Sequence, residues 1–270
     1  MALDPAAALL TDKVAIVTGA AVGIGQAIAL TFANFGAHVA ICDRDAENLK
    51  ATSDAAKATG RRTVATELDV REPEAVTAFV DSVSSEFGYV DVLVNNAGGT
   101  FFARFLDTNA KGQDSIVREN FVSVTSFVRA TVAHMPESGG SIINVTSIEA
   151  FRAAPGFGIY AAMKAAVESL TKTLALELAD RRVRVNCIAP DAIPTEGDAG
   201  LAEAVHAGGV DDYGAKVPLG LGHVDDAAAA AVFLAGDLSR FVTGTTVHVD
   251  AGMWAAGGWH RGDDGRFTTS

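Results

Sequence analysis

Short β-rich runs, several of them continuously apolar, alternate with longer stretches of helical period along nearly the whole chain. The runs fall at residues 14–17, 38–42, 63–68, 92–94, 141–145, 183–188 and 245–249. Strands that are apolar throughout, rather than at every second position, suit a parallel sheet covered on both faces. Helical segments such as residues 25–34, 45–59, 73–87 and 161–179 lie between them. This rhythm predicts an α/β fold, a single-domain doubly wound parallel sheet of Rossmann type with helices on both faces. No Pro/Ser-rich tract, charge block or composition shift divides it, so residues 13–252 read as one domain behind a loose arm, residues 1–12. The least regular internal segment, residues 191–222, mixes Gly, Asp, Pro and Ala after the sixth run and reads as a lid. In the tail, residues 253–270, the aromatics are expected to dock and the last residues to fray.

Composition narrows the function. A chain of 270 residues, 49% hydrophobic and 20% charged, buries a full core and is not disordered. Its formal net charge of -12 repels phosphate backbones and anionic lipid, so neither nucleic acid nor a membrane is an expected partner. No apolar run approaches the ~20 residues of a membrane helix, and the first residues lack the basic start of a secretory signal. A cytoplasmic protein is expected. Cys42 and Cys187 both sit in apolar strand runs, where a buried inert thiol is the expectation and a metal ligand is not.

The first run ends in Thr18-Gly19-Ala20-Ala21-Val22-Gly23-Ile24-Gly25 and passes directly into a helical segment. Glycines let the backbone turn tightly and approach a pyrophosphate, while the helix start supplies unpaired N–H groups and the positive end of its dipole. A tight strand-to-helix turn also needs glycine for purely steric reasons, so the loop alone decides little. The second run leads to Asp43, close to the ~20-residue spacing at which a carboxylate meets the adenosine ribose. A carboxylate there repels a 2′-phosphate and favours NAD over NADP. The neighbouring Arg44 argues the other way, and an aspartate in this place also caps helices or turns.

Tyr160 and Lys164 stand four apart in a helical segment and share one face. An ammonium beside a phenol stabilises phenolate and lowers the tyrosine pKa from its usual ~10, toward the range useful for exchanging a proton with an alcohol. Such a pair is also common on helix surfaces. Ser147 adds weight, because it ends the fifth run at the carboxyl edge where open α/β sheets bind ligands. Its hydroxyl can orient a substrate oxygen, or simply cap a turn.

With these residues in this order, the chain resembles the short-chain dehydrogenase/reductase family, in the branch with chains of about this length, over residues 10–252. The resemblance is carried by the glycine spacing, Asp69-Val70, Asn95-Asn96-Ala97-Gly98, Asn120, Ser147, Tyr160 with Lys164, and Asn186 to Pro190. It implies NAD(H) chemistry with Tyr160 as acid/base, Ser147 on the carbinol or carbonyl oxygen, and Lys164 on the nicotinamide ribose. Asn120 would hold a water that links Lys164 to a proton relay. For the cofactor it implies contacts from Gly19, Ala21, Val22, Gly23, Ile24, Gly25 and Asp43. Asp69, Val70 and Asn96 would lie around the adenine and its ribose, beside Ala97 and Gly98; Pro190, Ile193 and Thr195 would lie at the nicotinamide. One departure stands out: many members have Pro-Gly where this chain has Pro190-Asp191.

Positions that line the substrate pocket in the family carry Phe101, Phe102, Phe105, Phe151 and Phe157 here, with Trp254 if the tail turns inward. They suggest a hydrophobic or cyclic secondary alcohol or ketone, while Arg104 and Arg152 leave room for a carboxylate or phosphate. The helical segment 161–179 is apolar on more than one stripe, which predicts a homo-oligomer, and the resemblance implies a homotetramer. Two other functions share these motifs: a 3-oxoacyl-thioester reductase acting on an acyl carrier protein or CoA, and a non-catalytic dinucleotide sensor.

Overall fold

The computed structural model describes residues 4–198, 213–262 and 266–269. Residues 1–3 of the arm, 199–212 of the expected lid, and 263–265 and 270 of the tail lie outside the described residues. Seven strands form one sheet: β1 (Val14–Thr18), β2 (His38–Asp43), β3 (Thr63–Glu67), β4 (Val92–Asn95), β5 (Gly140–Val145), β6 (Val183–Pro190) and β7 (Thr246–Val249). Their spatial order is β3-β2-β1-β4-β5-β6-β7, and every neighbouring pair is parallel. All five residues of β1 are buried, whereas edge strand β3 has no buried residue. The fully apolar runs are thus the central strands, covered on both faces as their composition demands.

Eight α-helices accompany the sheet among the described residues: α1 (Gly23–Asn34), α2 (Ala46–Ala58), α3 (Pro73–Phe87), α4 (Ala110–Val117), α5 (Ser123–Val132), α6 (Gly158–Glu177), α7 (Val224–Ala235) and α8 (Met253–Ala256). Two cores result. Ile28 and Phe32 of α1 and Leu234 of α7 pack on one face of the sheet, and Phe79 of α3, Phe127 of α5 and Val167 of α6 on the other. Local signals set the helix ends. Asp45 caps α2 by accepting from the Asn48 N–H, Pro73 opens α3, and Gly88, at φ 92°, closes α3.

Parts of the arm and of the tail make defined contacts. Leu10 is fully buried and its N–H donates to the Phe35 carbonyl. Within the tail, β8 (His260–Arg261) and β9 (Phe267–Thr268) pair as an antiparallel hairpin. Among the described residues no helix is long and apolar enough to cross a membrane.

Because β1 lies between β2 and β4, the chain leaves neighbouring strands β1 and β4 in opposite directions. The carboxyl ends of those two strands form the crevice in which open α/β sheets bind ligands.

Candidate active site

At that crevice the end of β1 is tied to the end of β4. Thr18 Oγ1 accepts from the Asn96 and Ala97 N–H groups at 3.0 and 2.9 Å, and Asn96 Nδ2 donates to the carbonyls of Thr18 and Gly19 at 3.0 and 2.9 Å. The close approach is possible only with glycine. A Cβ at Gly25 would fall 2.0 Å from the Gly19 carbonyl oxygen, and one at Gly19, where φ is +65°, would fall 2.8 Å from the Ala97 Cα. Helix α1 then begins at Gly23 with no side-chain cap, so its first N–H groups are left for an anion. Asp43 ends β2 beside this loop. One of its oxygens accepts from the Ala21 N–H at 3.0 Å and the other from the Asp45 N–H at 3.0 Å. Asp45, not Asp43, is the helix cap.

The second half of the site is built from β5, α6 and the junction of α4 with α5. Between those two helices the chain makes one π-helical turn, Arg118–Val122, which carries Asn120 inward. Asn120 Nδ2 donates to the carbonyls of Gly99 and Ile116 at 2.8 and 2.9 Å. On α6, Lys164 is only 4% exposed, and its Nζ donates to the Val145 carbonyl at 2.9 Å. Burial lowers the Lys164 pKa to about 8. The same Nζ lies 5.4 Å from the centroid of the Tyr160 ring. A Cβ on Gly98 would fall 2.7 Å from Asn120 Oδ1 and 3.0 Å from Lys164 Nζ, so this glycine makes room for both. Ser147 follows β5, nearly buried, and its Oγ accepts from the Glu149 N–H at 3.2 Å. It does cap a turn, yet it also faces the cleft.

A buried polar chain fixes α6 against the sheet. Asn95 Nδ2 donates to Asn144 Oδ1 at 2.8 Å, and Asn144 Nδ2 donates to Thr171 Oγ1 at 2.8 Å, linking β4, β5 and α6. Sequence reasoning missed Asn144 and Thr171 as positioning residues. Their only signal was an asparagine inside the apolar run 142–145 and a threonine seven residues beyond Lys164.

One cleft of about 1490 Å3 gathers most of the predicted residues. It is lined by Gly19, Val22, Gly23, Ile24, Asp43, Asp69, Val70, Asn96, Ala97, Gly98, Pro190, Ile193 and Thr195, with Ser147, Tyr160 and Lys164 toward the other end. Ala21, Gly25 and Asn120 are not on its wall; they shape it from behind. Asn96 is engaged with the glycine loop, and Asp69 is held by Arg71, whose guanidinium keeps the carboxyl below the usual range. A dinucleotide fits this set: an uncapped helix start over glycines at one end, a carboxylate beyond it, and a lysine and tyrosine at the other.

Several pocket aromatics are placed differently from expectation. Phe101, Phe102 and Phe157 line the cleft, but Phe151 and Trp254 do not. Trp254 stacks on His248 with centroids 5.8 Å apart, and Phe151 meets both rings edge-on or tilted, which turns them away from the cleft. Phe105 is 68% exposed and lies outside it. Asp191, which stands where many family members have glycine, joins a side-chain group at the cleft. Its carboxylate accepts from the Tyr213 hydroxyl and from its neighbour's N–H, and Arg152 Nη2 stands 3.5 Å away. Burial pushes the Asp191 pKa up, opposed by the Tyr213 hydroxyl and by Arg152. The left-handed turn falls one residue later, at Ala192, with φ +54°.

The family model adh_short_C2, described as enoyl-(acyl carrier protein) reductase, matches residues 19–254. The 3-oxoacyl-(acyl-carrier-protein) reductase FabG of Chlamydia muridarum is 36% identical over 248 residues, covering 91% of this chain and 98% of its own. The 3beta-hydroxysteroid dehydrogenase 1 of Eggerthella lenta is 37% identical over 248 residues, 90% of this chain and 94% of its own. Among solved structures, carveol dehydrogenase from Mycobacterium avium in complex with NAD is similar with a TM-score of 0.85 at 30% identity, over 90% of this chain and 97% of that one.

Proposed function

The chain belongs to the short-chain dehydrogenase/reductase family, and we propose that it interconverts a hydrophobic or cyclic secondary alcohol and its ketone with NAD(H). The observation that carries this reading is the meeting of Tyr160, Lys164 and Ser147 on one cleft wall, with the uncapped start of α1 and Asp43 along the same cleft. A bound nicotinamide supplies or takes the hydride. The chain's own residues handle the proton and the geometry. Tyr160 takes the hydroxyl proton in oxidation and returns it in reduction. Lys164 stands below the Tyr160 ring with a positive charge that favours phenolate. Ser147 donates to the substrate oxygen and holds it against Tyr160. Asn120 is a positioning residue that braces the Gly98–Gly99 turn above Lys164.

Asp43 supports NAD over NADP, since its carboxylate would face a 2′-phosphate; carveol dehydrogenase, with NAD in its structure, is similar over most of the chain. The aromatic wall of Phe101, Phe102 and Phe157 supports an apolar substrate. The family resemblance implies a homotetramer, and packing along α6 would cover Leu176, which is 80% exposed there. The likeness to the FabG reductase favours a second reading, reduction of a 3-oxoacyl thioester, which uses the same proton-handling residues.

The test is turnover of secondary alcohols, cyclic ketones and 3-oxoacyl thioesters with each cofactor, followed by Tyr160→Phe. The variant should lose turnover by two or more orders of magnitude while still binding NADH. Undiminished turnover in it would remove the mechanism.

A further inference from the structure

We propose that Glu149 and Asp191 make the substrate end of the cleft selective for uncharged molecules, rejecting those with a carboxylate or phosphate near the reacting carbon. The proposal rests on the alcohol–ketone reading above and names its substrate class further. Glu149, Arg152, Asp191 and Tyr213 all line the cleft, and Glu149 lies two residues beyond Ser147. Arg152 is the cation on which an anionic substrate would have to pair, and it is already engaged. Its Nε and Nη2 donate to Glu149 Oε1 at 3.2 and 2.7 Å, and Nη2 also donates to the Tyr213 hydroxyl at 2.8 Å. Asp191 closes the group by accepting from the Tyr213 hydroxyl, with Arg152 at 3.5 Å.

Two carboxylates share one guanidinium, which leaves the group one negative charge in excess. Its members are shielded from water, with side-chain exposures of 20% for Glu149, 12% for Asp191 and 29% for Arg152. The second oxygen of Glu149, Oε2, is buried with no hydrogen-bond donor among the described residues. A substrate anion that took Arg152 from Glu149 would therefore strand a carboxylate with still fewer partners. An anion that left the pair intact would meet the excess negative charge instead. Phe101, Phe102, Phe157 and Leu221 at this end offer an anion no countercharge, and Lys164, the other cation there, is 4% exposed with its Nζ donating to the Val145 carbonyl. At an effective dielectric near 20, one uncompensated charge about 10 Å away changes affinity by about tenfold.

The test uses a pair matched in shape, 4-oxocyclohexanecarboxylate and its methyl ester, reduced with NADH at neutral pH. The wild type should use the ester with a kcat/KM at least about tenfold higher, and Asp191→Asn and Glu149→Gln should each narrow that ratio by raising use of the acid. Equal use of acid and ester by the wild type overturns the proposal, as does a ratio that neither variant changes. If neither ketone is reduced, calorimetry of cyclohexanecarboxylate against cyclohexanecarboxamide on the enzyme with NADH decides it. Tighter binding of the carboxamide sustains the selectivity and counts against the alcohol–ketone reading alone. Any other order, including no difference, overturns the selectivity itself.

Discussion

Replacing Lys164 with methionine should stabilise the protein while removing its chemistry. Lys164 is 4% exposed, and burial lowers its pKa from 10.5 to about 8. At 1.36 kcal/mol per pKa unit, holding this ammonium in the folded state at pH 7 costs about 3 kcal/mol. Methionine fills nearly the same space without the charge, but it leaves the Val145 carbonyl without its donor, a loss of about 1 kcal/mol. The variant should therefore gain about 2 kcal/mol at pH 7, a rise in Tm of about 4–8 °C for a chain of this size. The pH window follows from the direction of the shift. The unfolded chain holds the proton more tightly than the folded one, so the penalty is complete below about pH 8 and vanishes as pH rises toward 10.5. Urea unfolding of both cofactor-free proteins at pH 7 and pH 10 measures it. The advantage of Lys164→Met should be largest at pH 7 and largely gone at pH 10. A variant no more stable at pH 7, or an advantage unchanged at pH 10, refutes the buried-charge account.

Three further outcomes are expected. Asp43→Ala should narrow the preference for NAD over NADP in kcat/KM by about tenfold or more; a wild type that already prefers NADP contradicts the role given to Asp43. Gly25→Ala should cost about 1–3 kcal/mol and weaken NADH binding, because its Cβ would lie 2.0 Å from the Gly19 carbonyl oxygen and 2.4 Å from Asn96 Nδ2. Unchanged Tm and affinity would show that the loop relaxes freely. Sedimentation should give four times the chain mass of 27.8 kDa, and Leu176→Glu on α6 should lower it; a monomeric wild type removes the proposed assembly.

The central strands were legible because a sheet covered on both faces leaves runs with no polar position, and β1, β2 and β4 carry such runs. The helices α4 and α5 were not. Gly112 and the β-branched Val117, Val122, Val124 and Thr125 give this stretch weak helical propensity, and burial of Ile116, Val124 and Phe127 against the sheet overrides it. Tyr160, Lys164 and Ser147 could be read because proton transfer from an alcohol restricts residue types, and their spacing places them on one helix and one strand end. Arg152 and Tyr213 are 61 positions apart, and no periodicity connects them, so their union with Asp191 had no local signal. Phe151 was misassigned for a related reason, and Trp254, placed there only if the tail turned inward, packs on His248 instead. Aromatic identity says that a side chain will be covered, but not which side of a loop covers it.

The placement of the reactive pair depends more on the core than on the loops. Thr171 lies about two turns beyond Lys164 on α6 and so shares its face. The hydrogen bonds from Asn95 to Asn144 and from Asn144 to Thr171 hold that face on the sheet. A slip of one residue would rotate the helix by about 100°, carrying Lys164 away from the Val145 carbonyl and leaving Asn144 and Thr171 unpaired together. The ladder therefore penalises any register in which Tyr160 and Lys164 miss the cleft. Apolar packing alone would not, because α6 carries apolar residues on several stripes and has other faces it can bury. Buried amides here act as a gauge for the helix that carries Tyr160, which lines the same cleft as Ser147.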